Sequence, residues 1–193
     1  MITRRTWTLL AGSTLAVVFT AALVIRILPE IRLIGVGSQA PAFDAMNLRT
    51  GRPSGLADYE GRVILLNIWA TWCQPCRVEM PAIERLSRQL DSTDFRVVAV
   101  SVDVSDSTTV NAFVKEMGLS FDILHDPTQA IQRRYQTTGV PESFVIDRHG
   151  VIVKKVIGAS SWDSPVTKIL IRRLLDERGG SARAGAQLAA QAG

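Results

Sequence analysis

Cys73 and Cys76 are the only cysteines of the chain and stand two residues apart in the stretch WATWCQPCRVEMP, residues 69–81. Such a pair has three chemical uses: a staple, a metal clip or a redox reagent. As a staple it is weak, because a disulfide closing so short a loop removes little conformational entropy from the unfolded chain. As a metal clip it lacks company. A structural zinc takes about four ligands, and beyond the cysteines the chain offers only the distant His125 and His149, with no second cysteine pair. Placement favours the third use. The pair follows a long apolar run and opens a helical pattern, where free N–H groups and the positive end of the helix dipole stabilise a thiolate and lower the pKa of the first cysteine. A lowered pKa also makes Cys73 the better leaving group in exchange. In this reading Cys73 attacks a disulfide and Cys76 resolves the mixed disulfide.

The elements that must position the pair surround it. Residues 63–70, VILLNIWA, form a continuous apolar run rich in β-branched and aromatic residues, which suits a central strand covered on both faces. After Cys76, the residues Met80, Ile83, Leu86 and Leu90 recur at helical spacing, and Pro81 within that stripe predicts a kink or local break soon after Cys76. Residues 95–102 predict a second buried strand, and residues 105–118 a short helix with Ser or Thr caps and Gly118 as its stop. Strand, helix, strand, helix in this order implies a parallel pair with crossovers. Residues 121–124 read as a short strand and 126–135 as a helix. Residues 143–147 and 151–157 read as strands joined by the tight turn Arg148-His149-Gly150, an antiparallel hairpin closing a mixed sheet. Residues 166–177 predict a closing amphipathic helix, and the fold class is α/β.

WATWCQPC directly after VILLNI, then CRVEMP, then GVPESFVID at residues 139–147 together resemble the thioredoxin superfamily. Within it they are most similar to the membrane-anchored thiol-disulfide oxidoreductases that act outside the cytoplasmic membrane in cytochrome c maturation. The resemblance spans residues 36–176. It implies a thioredoxin-like mixed sheet flanked by helices, with an N-terminal β-hairpin extension and a central insert at residues 103–126. It also implies that Pro141 is cis and lies against the active-site disulfide, rather than forming an ordinary trans turn. The backbone of Val140 is then free to pair with an extended substrate peptide as a short added strand, holding a client cysteine in line with Cys73.

Thioredoxin itself usually carries a buried aspartate in the strand before the cysteines, a proton relay for the resolving thiol, and this chain has Asn67 there. Asparagine transfers no proton. Glu79 stands three residues after Cys76 on the same helical face, and the resembling group often has a glutamate at this position. Glu79 is therefore expected to take or tune the proton on Cys76. The alternative is a solvated helix glutamate paired with Arg77. Trp69 is expected in the core and Trp72, beside Cys73, on the surface that meets the substrate. His125 and His149 are expected in loops, without a ligand or base role.

At 193 residues, 47% hydrophobic and 21% charged, the chain suits one ordinary domain with appendages. Of its net charge of +4, residues 1–32 hold +3, through Arg4, Arg5, Arg26 and Arg32 against Glu30. The remainder is nearly balanced, which leaves no basic stripe for nucleic acid. Residues 7–25 carry no charge, and as a helix they reach about 28 Å, close to the thickness of a bilayer core. An uncleaved signal anchor fits best, since the cleavage signal around Thr20 and Ala22 is poor; a cleaved signal or a buried helix are the other readings. Flanking Arg and Lys residues barely orient the span, but the resemblance implies a cytoplasmic amino terminus. The expected organisation is an anchor and tether at 1–35, a thioredoxin-like domain at 36–178 and a disordered tail at 179–193.

The expected function is reduction of client disulfides in the periplasm, with the domain tethered to the bacterial inner membrane by a single pass. The resemblance points to the haem-attachment cysteines of apocytochrome c as client and to a thiol-reducing membrane electron donor. No cofactor is expected beyond the redox-active Cys73–Cys76 disulfide. Pro75, immediately before Cys76, resembles reducing members more than strongly oxidising ones. One alternative is a copper metallochaperone for oxidase assembly, using Cys73, Cys76 and His125, although such chaperones of this fold usually show a wider cysteine spacing. Others are a general disulfide reductase with another client, and a holdase for apocytochrome that needs no cysteine. A peroxidase relative fits less well, because it places a lone peroxidatic cysteine differently.

Overall fold

The computed structural model describes residues 19–20, 22 and 33–177. The chain divides into two compact units, residues 1–33 and 34–193. In the first, Phe19, Thr20 and Ala22 are helical; the rest of the expected span at 7–25 lies outside the described residues, as does the tail at 179–193. Among the described residues no helix is long and apolar enough to cross a membrane.

The second unit is built on β3, Val63–Trp69, whose seven residues are all buried. Successive side chains of a strand point to opposite faces, so complete burial means that both faces are covered. β3 pairs in parallel with β4, Phe95–Ser101, from Val63 opposite Phe95 to Trp69 opposite Ser101. On its other side it pairs antiparallel with β6, Glu142–Ile146, and β6 continues into β7, Ile152–Ile157. The expected hairpin is present. Asp147 closes its turn by accepting the N–H groups of His149 and Val151, both at 2.9 Å, and Gly150 supplies the left-handed backbone at φ 78°.

The amino-terminal hairpin is β1, Asp44–Asn47, with β2, Arg52–Gly55. It joins the sheet through β5, Asp122–His125, giving seven strands in the order β2-β1-β5-β4-β3-β6-β7. The central insert therefore contributes a strand of its own, β5, parallel to β4. Residues 37–40 run along the start of β7: Gly37 donates to the Ile152 carbonyl at 2.8 Å and Ile152 returns a bond to Ser38 at 2.9 Å.

The long helix α1, Gln74–Gln89, buries Met80, Ile83 and Leu86 on the expected stripe, and Leu90 closes it. It runs unbroken through Pro81, where a kink or local break was expected, so the break does not form. The apolar stripe on both sides of the proline is buried, and that packing outweighs the loss of one N–H bond. α2, Ser107–Met117, starts at Asp106, whose side chain accepts from Thr108 N–H at 3.0 Å, rather than at a Ser or Thr cap. It stops at Gly118 as expected, with φ 61°. The helix expected at 126–135 shrinks to α3, Ala130–Arg134. Asp126 accepts from Thr128 N–H at 3.2 Å and from Ile131 N–H at 2.7 Å, and this local turn delays the helix. The closing helix α4 spans 165–177 and is capped by Ser164, whose Oγ accepts from Thr167 N–H at 3.3 Å.

Leu66 sits fully buried at the middle of β3. Leu66→Ala is expected to destabilise the domain by about 3 kcal/mol with an unchanged urea m-value, measured by equilibrium unfolding; a loss below about 1 kcal/mol would contradict a two-sided core at this strand.

Candidate active site

β3 ends at Trp69, and the turn at 71–72 delivers Cys73 to the first position before α1. Cys73 and Cys76 form a disulfide. Cys73 acts as the helix cap: its Sγ accepts the N–H of Cys76 at 3.1 Å, and its carbonyl accepts from Arg77 N–H at 3.2 Å. Pro75 lies in the first turn, where a missing N–H leaves nothing unsatisfied. In the dithiol state a thiolate at Cys73 inherits that N–H and the positive helix end, both of which stabilise it. Cys73 retains 4% exposure and Cys76 none, so only the first sulfur has access to a partner. Trp72 beside it is 69% exposed, on the surface as expected, and Trp69 is fully buried as expected.

The Val140–Pro141 bond is cis. The Val140 carbonyl lies 3.4 Å from Cys73 Sγ, a contact in the disulfide, where the sulfur carries no hydrogen. The N–H of Val140 makes no hydrogen bond among the described residues. Pro141 is buried, and its carbonyl accepts the N–H of Gly158 at 2.8 Å.

Glu79 is 2% exposed, in place of the solvated glutamate that was the alternative. Its Oε1 accepts from Asn67 Nδ2 at 2.7 Å, and its Oε2 accepts from Ser160 N–H and from the Trp162 indole Nε1, both at 3.1 Å. Asn67 also donates to Ser143 Oγ at 2.9 Å. Burial without a countercharge pushes the Glu79 carboxyl above its ordinary range, while the Trp162, Asn67 and Ser160 donors pull it back. The suggested Arg77 pairing is not formed. Arg77 bonds Glu116 of α2 and stacks 4.8 Å over the Phe113 ring.

A second buried carboxylate braces the loop before Cys73. Asp103, at the carboxyl end of β4, accepts from Thr71 N–H at 2.9 Å and from Thr71 Oγ1 at 2.6 Å, and from Ser101 Oγ at 2.7 Å. His125 is buried at the end of β5 instead of in a loop, and its Nε2 donates to the Asp103 carbonyl at 3.0 Å. That end lies two strands from β3, about 10 Å by strand spacing, which separates His125 from the cysteines. Among the described residues no group of three His, Cys, Asp or Glu side chains is placed to hold a metal. His149 is exposed in its turn.

Asp103, Ser143, Ser160 and Trp162 are absent from the residues singled out in the sequence. Asp103 had one usable signal, a carboxylate just past the carboxyl end of a parallel strand, the edge where sites of α/β sheets lie. Trp162 had none, because nothing local relates it to a glutamate more than eighty residues earlier.

The AhpC/TSA family model matches residues 36–155. The thiol-disulfide oxidoreductase ResA of Bacillus thuringiensis is 35% identical over 123 residues, 64% of this chain and 70% of that protein. The thioredoxin-like protein YneN of Bacillus subtilis is 40% identical over 118 residues, covering 60% of this chain and 68% of the relative. A crystal structure assigned as a thiol:disulfide interchange protein DsbE of Chlorobium tepidum superposes with a TM-score of 0.68 at 30% identity, over 74% of this chain and 99% of that one. With the disulfide capping α1, these likenesses establish that the chain belongs to the AhpC/TSA family, on a thioredoxin-like fold, and is a thiol-disulfide oxidoreductase.

Proposed function

We propose that the chain reduces client disulfides outside the cytoplasmic membrane, held there by an anchor at residues 7–25. The observation that carries the reading is the asymmetry of the pair: Cys73 at the helix cap with access to a partner, Cys76 fully enclosed behind it. The reduced Cys73 thiolate attacks one sulfur of a client disulfide, forming a mixed disulfide and releasing the client's other sulfur as a thiol. Cys76 then loses its proton and attacks Cys73 Sγ. The Cys73–Cys76 disulfide forms, the second client sulfur leaves as a thiol, and a membrane donor returns two electrons to the pair. The free N–H of Val140 supports strand-like pairing with the client beside Pro141, and the exposed ring of Trp72 supports a contact face around Cys73. Enclosed with Cys76 one helical turn away, Glu79 takes the Cys76 proton.

The client we propose is the Cys-X-X-Cys-His haem-attachment segment of apocytochrome c, in keeping with the sequence resemblance. Tethering to a membrane raises the effective concentration of membrane-bound donor and client. Reduction rather than oxidation is supported by Pro75 before Cys76. The test uses a purified, oxidised peptide bearing that segment. Cys76→Ser is expected to accumulate a mixed disulfide to it through Cys73, and Cys73→Ser none. An equal rate with glutathione disulfide would favour a general reductase, and activity of Cys73→Ser would favour a holdase.

Localisation has its own test. The full chain expressed in bacteria is expected in the membrane fraction, with its reduced cysteines reached by an impermeant thiol reagent added outside the inner membrane. A chain starting at residue 36 is expected in the soluble fraction, and recovery of the full chain there would remove the anchor.

Glu79 has a stability signature. Its folded-state pKa is raised, so its favourable contribution is present below the ordinary carboxylate pKa and is lost as pH rises through the folded value. Between about pH 4 and pH 8, the melting temperature of oxidised Glu79→Gln is expected to gain on the unsubstituted protein as pH rises. A difference independent of pH would mean that the carboxyl is not shifted. The same substitution is expected to move the acid limb of the rate at which Cys76 resolves a mixed disulfide.

A further inference from the structure

The loop between β7 and α4, residues 158–164, reaches the site three times although the exchange chemistry assigns it nothing. Gly158 N–H holds the Pro141 carbonyl at 2.8 Å, and Ser160 N–H and the Trp162 indole N–H both hold Glu79 Oε2 at 3.1 Å. The loop's far end is fixed, because Ser164 caps α4 and Pro165 begins it. Trp162 is fully buried. Burial alone does not dictate a partner for an indole N–H here: Trp69 is also fully buried, and its Nε1 has no hydrogen-bond partner among the described residues. For Trp162 the partner is a carboxylate that forms no ion pair among the described residues.

We infer that Trp162 is a positioning residue for the exchange reaction: its indole N–H, with the N–H of Ser160, holds the Glu79 side chain in one orientation and in its proton-accepting form, one helical turn from Cys76. This rests on the role proposed above for Glu79. In the mixed disulfide, the Cys76 thiol passes its proton to Glu79 Oε1, the oxygen that the loop does not hold. The Cys76 sulfur then bonds to Cys73 Sγ, the bond from Cys73 to the client breaks, and the client sulfur leaves with the electron pair. Glu79 releases its proton to solvent as the client sulfur takes one up from solvent, so the client is reduced as the pair is oxidised and the base is regenerated. The groups facing Glu79 are Asn67 from β3, whose neighbour in turn is Ser143 of β6, and Ser160 and Trp162 from the loop. None of these ionises. On its own helix Arg77 pairs with Glu116, Arg85 with Asp163 and Arg88 with Glu84, which leaves Cys76 as the titratable group one turn from Glu79, and the nearby cation is Lys154 of β7, 5.7 Å over the Trp162 ring.

Trp162→Phe keeps the ring and removes only the donor. In the full chain, it is expected to raise the titration midpoint of the Glu79 side-chain carboxyl, followed by NMR, by about one pH unit. The acid limb of the pH–rate profile with glutathione disulfide is expected to move in the same direction. In a Glu79→Gln background Trp162→Phe is expected to leave the profile where Glu79→Gln alone puts it. An unchanged Glu79 midpoint, or an equal displacement in the Glu79→Gln background, reduces Trp162 to packing and overturns the inference. A profile that Glu79→Gln itself does not move sinks the role of Glu79 first, so the two failures are distinct. If Trp162→Phe does not fold, the unsubstituted chain still decides: the Trp162 indole N–H resonance must titrate with the Glu79 midpoint, and a flat signal overturns the proposal.

Discussion

The carboxylate of Glu79, enclosed one helical turn from Cys76 and in no ion pair among the described residues, constrains what surrounds it. A charge removed from water is tolerated only where hydrogen bonds replace the lost solvent, and three donors from β3 and the 158–164 loop do so here. Each donor fixes an element. Asn67 sets the central strand against α1, and the loop donors set the end of β7 against both. The same loop holds the Pro141 carbonyl, so the wall of the substrate site and the base behind the resolving sulfur are joined through one short segment.

The sheet explains why these pieces meet. β3 and β4 run in parallel, so their carboxyl ends lie at one edge, and β6 runs the opposite way and begins at that edge. Cys73, Asp103 and Pro141 therefore converge there although sequence separates them widely. Asp103 and Glu79 divide the task of holding the pair. The first braces the loop that carries Trp72 and Cys73, through Thr71, and the second sits behind the enclosed Cys76.

Most elements were legible along the chain, and the errors have local causes. β3 and β4 announce themselves as apolar runs, because a strand covered on both faces needs no polar alternation, and the closing hairpin announces itself through the tight turn Arg148-His149-Gly150. The unbroken α1 escaped because the tendency of Pro81 to break a helix is a local preference, overridden by the buried stripe on either side. The late start of α3 escaped because Asp126 satisfies backbone donors with its own side chain, a competition that periodicity does not register. At the site, the cysteines, Glu79, Val140 and Pro141 stood out through spacing and resemblance. Their supports did not.

By itself, then, the sequence determined the reagent: two cysteines in a helix-opening position after a buried strand, a glutamate one turn on, and a distant Val-Pro step. Chemistry of that kind depends on residue type and short-range geometry, and both are written in adjacent letters. Tertiary structure decided the environment of those groups. Whether Glu79 is solvated or enclosed, whether Arg77 turns to it or to Glu116, and that Trp162 and Ser160 hold its carboxylate all depend on which surfaces are brought together. Burial and long-range hydrogen bonds are properties of the packed chain, and only the folded protein could supply them.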